Sequence, residues 1–69
     1  MDKEVESLTV REKTIMKLLL HDYNLKSVAG GLGISIATVR THLRHLRGKA
    51  NVHSMGELIN WGHRHHLDK

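Results

Sequence analysis

Apolar residues recur along the chain at helical spacing in four stretches, each preceded by a residue suited to start a helix. In the first, Ile15, Leu18 and Leu19, joined by Met16, form one side of a helix. Ahead of them Thr9-Val10-Arg11-Glu12 reads as a capping box, in which the Thr9 hydroxyl accepts from the helix and the Glu12 carboxylate accepts from the Thr9 amide. The helix is predicted to run from Val10 to about His21-Asp22. In the second stretch Leu25, Val28, Ala29 and Leu32 sit at i, i+3, i+4 and i+7 behind Asn24 as cap, and Gly33 supplies a left-handed stop. Gly30 and Gly31 inside it each cost about 1 kcal/mol relative to alanine, so this helix is expected to be the weak element.

The third stretch is the longest. Ser35 caps a helix in which Ile36, Val39, Leu43, Leu46 and Ala50 line one apolar stripe, and Asn51 can take the left-handed position that ends it. The fourth opens on Ser54-Met55-Gly56-Glu57, a second capping box, with Met55, Leu58 and Ile59 as its apolar side and Trp61 or Gly62 completing it. Between the second and third helices only about three residues turn the chain, and Ile34 can tuck into the core. This is the connection of a helix-turn-helix. The fold class expected is therefore all-α, with four helices over residues 8–63, a flexible lead-in over 1–7 and a polar, frayed tail over 64–69.

Charge gives the third helix a purpose. Arg40, Arg44 and Arg47 form a basic stripe roughly opposite its apolar one, and the chain holds no acidic residue between Asp22 and Glu57, whereas Lys26 and Lys49 also fall in that interval. With a formal net charge of +4 over 69 residues, the whole chain suits a polyanion. Tyr23 and Trp61 are its only aromatic residues of the Phe, Tyr and Trp set, too few for a platform that stacks single-stranded bases. There is no cysteine, hence no disulfide framework and no thiolate metal site. Seven histidines (His21, His42, His45, His53, His63, His65 and His66) invite a metal reading, and His63 and His66 could share a helix face, but no carboxylate or cysteine completes a site beside them. No metal or other cofactor is expected. Paired carboxylates, a nucleophile with its base and a phosphate loop are all missing, which argues against an enzyme. No apolar run approaches a membrane span and MDKEVESL has no signal-peptide order, so a cytoplasmic protein without membrane contact is expected.

In combination, LTVRE at Leu8 to Glu12, VAGGLGIS at Val28 to Ser35, TVRTHL at Thr38 to Leu43, and Lys49 with Val52 resemble the LuxR-type (GerE-type) DNA-binding domain, from Leu8 to about Ile59. The resemblance implies that the third helix enters the major groove of double-stranded DNA and that the fourth mediates dimerisation. It places Arg40, Thr41 and Arg44 at base edges, and Asn24, Lys26, Thr38 and Lys49 at the DNA backbone. Ser35, Arg47 and His42 complete the expected backbone set, with packing as the alternative role of His42. Asp22, Gly48, Ala50 and Asn51 depart from the residues usual in that family, but none of them touches Arg40 or Arg44. An arginine fork can pair bidentately with guanine, while contacts to phosphate fix register without reading sequence.

One short recognition helix reads few base pairs, so a homodimer is expected, at least on DNA, on an imperfect inverted repeat. Met55, Leu58, Ile59 and Gly62 are the candidate interface. The expected function is sequence-specific DNA binding that regulates transcription, with a contact to RNA polymerase left open. Two alternatives stand beside it: a promoter-recognition module like region four of a sigma factor, and a helical protein-interaction domain that binds an acidic partner.

Overall fold

Helices begin where the chain offers a side chain to its first unpaired amides. A computed structural model describes residues 3–69, with helices α1 (Lys3–Glu6), α2 (Val10–His21), α3 (Leu25–Leu32), α4 (Ile36–Ala50) and α5 (Met55–Arg64). The four expected helices are α2 to α5. Thr9, Asn24, Ser35 and Ser54 are their N-caps, and each side chain accepts from a backbone amide two or three residues on. At α2 the capping box is complete: the Thr9 amide donates to Glu12 Oε1 at 2.9 Å and the Glu12 amide to Thr9 Oγ1 at 3.1 Å.

Three helix ends, those of α3, α4 and α5, share one device. At Gly33, Asn51 and His66 the backbone turns left-handed, with φ of 67°, 58° and 57°. In each case the next residue donates to a carbonyl five residues back: Ile34 to Ala29, Val52 to Arg47 and Leu67 to Gly62. Ile34, Val52 and Leu67 then pack against the core. α3, α4 and α5 are therefore each followed by an apolar residue turned inward, whereas α2 ends at Asp22 in an extended conformation.

Residues 1 and 2 of the expected lead-in lie outside the described residues; in the rest of it and in the tail, Val5 and Leu67 pack on the core. α1 forms a single turn from which Val5 packs on the core, and the Leu8 amide donates to the Val5 carbonyl. The tail folds back so that Leu67 is half-buried and the His21 ring meets the Asp68 carbonyl at 2.6 Å. The apolar residues Val5 and Leu67 supply the reason, since each finds a place on a core that a frayed segment would leave in water.

α2 lies at the centre, in contact with α3, α4 and α5. Its Ile15, Met16, Leu19 and Leu20 pack with Val28 and Ala29 of α3, Val39, Leu43, Leu46 and Ala50 of α4, and Leu58 and Trp61 of α5. Leu20 takes a place that periodicity had given to Leu18, which is only half-buried. The cause is Gly62: with no side chain there, α5 comes close enough that an added Cβ would lie 2.9 Å from Leu20 Cδ1. In α3, burial of Val28 contributes about 1.5 to 3 kcal/mol, close to the roughly 2 kcal/mol that Gly30 and Gly31 cost together. That helix is held by packing and not by its own propensity.

Candidate nucleic-acid interface

α3, the turn at Gly33 and α4 set the geometry. Val28 and Ala29 bury one side of α3, and Ile34 fixes the turn, so α4 leaves the core at a defined angle. Val39, Leu43, Leu46 and Ala50 face inward on α4. With residues spaced by about 100° around a helix, the outermost line then carries Ala37, Thr41, Arg44, His45 and Gly48, with Thr41 almost diametrically opposite the buried stripe. All five are exposed.

The arginines divide. Arg44 belongs to the outer line, whereas Arg40 and Arg47 lie on its flank, where they line a groove of about 300 Å³ together with Leu25, Leu43, Arg44 and Met55. Arg40 and Arg44 are exposed and Arg47 is half-buried. None of the three makes an ion pair among the described residues, so their charge stays available to an anion.

Other candidate residues are already engaged within the chain. Ser35 Oγ accepts from the Thr38 amide at 3.1 Å and meets the Thr38 hydroxyl at 2.9 Å. Thr41 donates its hydroxyl to the Ala37 carbonyl at 3.1 Å. Asn24 Oδ1 accepts from the Lys26 amide at 2.9 Å, and the exposed Lys26 ammonium makes no ion pair among the described residues. His42 is half-buried.

Lys49, expected at the DNA backbone, turns toward the protein. Its ammonium donates to the Ser7 carbonyl at 2.8 Å and to Glu12 Oε1 at 2.7 Å. The Glu12 side chain is 5% exposed and that of Lys49 32%. Burial alone would push the Glu12 carboxyl up, but the Lys49 ammonium and the hydrogen bonds with Thr9 outweigh it and hold the group below the ordinary glutamate range. Sequence reasoning gave Glu12 the capping role and missed the ion pair. The signal available was a glutamate on an otherwise apolar face of α2, between Leu8 and Ile15.

The expected dimer contact needs correcting at two residues. Leu58 is fully buried in the core of its own chain, and Gly62 packs on Met16 and Leu20 of α2, where an added Cβ would meet Met16 Cε at 2.5 Å. Neither can present a surface to a second copy. Half-buried Met55 borders the arginine groove, and half-buried Ile59 lies at the edge of the outward face of α5, which carries Gly56, Asn60 and His63. No group of three or more metal-ligating side chains occurs among the described residues. Nor is any described helix long and apolar enough to cross a membrane.

Comparison with known proteins shows the family of the chain. The family described as "Bacterial regulatory proteins, luxR family" matches residues 6–61. A putative HTH-type transcriptional regulator of Aeromonas salmonicida is 40% identical over 55 residues, covering 80% of this chain and 28% of that protein. The nitrate/nitrite response regulator protein NarL of Escherichia coli K12 is 32% identical over 66 residues, 96% of this chain and 31% of that protein. The transcriptional regulatory protein LiaR of Bacillus subtilis is 36% identical over 62 residues, 90% of this chain and 29% of its own length. The chain thus spans roughly three-tenths of the length of these relatives. No solved structure matches it significantly.

Proposed function

Because the chain belongs to the luxR family of bacterial regulatory proteins, we propose that it binds double-stranded DNA sequence-specifically through α4 and thereby regulates transcription. The observation that carries this reading is α4 itself: a helix anchored by four buried residues, whose outer side offers Arg40, Thr41 and Arg44 with no acidic group to neutralise them. Arg40 and Arg44 read base edges through their forked donors, and Thr41 sits where the helix comes nearest the groove floor. Lys26 and Arg47 meet phosphates on either side and fix the register, helped by Ser35 and Thr38 at the start of α4. Lys49 has a structural task instead.

Two copies share one site. A single α4 reads only a few base pairs, and a second copy multiplies the discrimination against competing sequence. The outward face of α5, with Gly56, Ile59, Asn60 and His63, is the surface for a two-fold contact that sets two α4 helices about 34 Å apart. So small a contact needs the DNA to supply effective concentration.

Selection of bound duplexes from a random DNA pool tests the whole reading. The expected product is an imperfect inverted repeat with guanines in each half. A pool that shows no enriched sequence overturns base reading, and enrichment of isolated half-sites overturns the pairing.

A further inference from the structure

The outer line of α4 is unusual in what it lacks. Ala37, Thr41 and Gly48 recur along it with small side chains, and an added Cβ at Gly48 would meet nothing within 4 Å. Arginine reach comes from the flank and from Arg44 between them. A helix so trimmed can sit deep in a major groove, which brings its β- and γ-carbons against the base edges.

Thr41 is the one side chain of that line able to offer either a hydroxyl or a methyl, and its hydroxyl is held against the Ala37 carbonyl at 3.1 Å. With the hydroxyl so engaged, the γ-methyl is the group of exposed Thr41 left for an outside contact. Ala37, one turn earlier on the same line, adds a second methyl and no polar side-chain atom. Thr38 repeats the arrangement beside them, with its hydroxyl committed to Ser35. Among the four unmodified bases of DNA, only thymine offers hydrocarbon a methyl in the major groove, at C5.

We propose that Thr41, with Ala37 behind it, reads the C5-methyl of a thymine by apolar contact, next to the guanine contacted by Arg40 or Arg44. This rests on the DNA-binding reading above and names what Thr41 recognises within it. The half-site then carries a thymine neighbouring a guanine. The hydroxyl of Thr41 takes no part in the discrimination.

The test starts from the duplex selected from the random pool. Each thymine is replaced in turn by deoxyuridine, which deletes the methyl and leaves every hydrogen-bonding group in place. Affinity is measured for the wild type, Thr41→Val and Thr41→Ser, each checked for an unchanged helical circular dichroism spectrum. One thymine per half-site is expected to be sensitive, the swap weakening binding about fourfold, as for one buried methyl. Thr41→Val, which keeps a methyl and loses the hydroxyl, should retain that sensitivity. Thr41→Ser, which keeps the hydroxyl bond and loses the methyl, should bind the two duplexes alike. Equal binding of thymine and deoxyuridine sites by the wild type overturns the proposal while leaving DNA reading intact, as does full discrimination by Thr41→Ser. Failure to select any site overturns both.

Discussion

Removing the ammonium from Lys49 while keeping its stem, as in Lys49→Met, isolates the ion pair with Glu12. The variant leaves the Glu12 carboxylate almost wholly buried, with the Thr9 amide as its remaining donor of the pair seen in the structure. Removing one partner of a buried pair destabilises by about 3 to 5 kcal/mol, because the other charge stays behind uncompensated. Lys49 is about a third exposed, so solvent already screens part of this interaction and a loss of about 2 kcal/mol is expected. For a domain of this size that lowers the melting temperature by roughly 10 °C. The pH dependence carries the sharper prediction. In the wild type the folded Glu12 carboxyl titrates below its unfolded value, so its contribution is complete above the ordinary glutamate range and is lost as pH falls through the lowered folded value. In Lys49→Met only the hydrogen bonds with Thr9 still oppose burial and the carboxyl moves upward relative to the wild type, so the variant protonates first. The stability gap between the two proteins should therefore narrow from about pH 7 to about pH 4. Thermal melts followed by circular dichroism at the two pH values measure it. A gap that stays constant would assign the loss to the bond with the neutral Ser7 carbonyl and refute the account based on the Glu12 charge.

Thr9→Ala removes the cap of α2 and should cost about 1 kcal/mol in a denaturant titration, with the preferred DNA sequence unchanged. Two glycine substitutions should move in opposite directions. Gly30→Ala meets nothing within 4 Å and should stabilise by up to about 1 kcal/mol, whereas Gly62→Ala drives a Cβ into Met16 and Leu20 and should destabilise by about 1 to 2 kcal/mol despite its helix-propensity gain, both read as shifts in unfolding midpoint. Arg40→Ala should relax preference at one base pair with a loss of about 1 to 3 kcal/mol, while Lys26→Ala should weaken all sequences alike and reduce the salt slope by about one; equal losses on specific and nonspecific DNA for Arg40→Ala would count against base reading.

What the sequence made legible was local. Thr9, Asn24, Ser35 and Ser54 start helices through hydrogen bonds that span two or three residues, and Gly33 and Asn51 end them by a backbone preference of their own. The inward stripe of α4 was equally readable, because four apolar residues at helical spacing leave one solution. What stayed hidden depends on pairs far apart in the chain. Glu12 and Lys49 are 37 positions apart, so a glutamate on an apolar face shows that a partner is needed without pointing to Lys49. Gly62 looked like room for a second copy because only the approach of α2 reveals which neighbour fills it. His66 gave no stop signal of the glycine kind, and the inward turn of Leu67 that follows it could not be read from a polar tail. Among the candidate DNA contacts, charge was visible in sequence. The capture of the hydroxyls of Thr38 and Thr41 was not.

The pair of hydrogen bonds made by Lys49 also has a mechanical meaning. Its ammonium holds the Ser7 carbonyl and Glu12 at one point on the last turn of α4, so the chain is moored to that helix before α2 begins. A tug on the polypeptide ahead of Ser7 is thus borne in part by α4, through two short polar links, as well as along the covalent chain into α2. Such an anchorage works in both directions: a displacement of the last turn of α4 is passed to the Ser7 carbonyl as well as to α2.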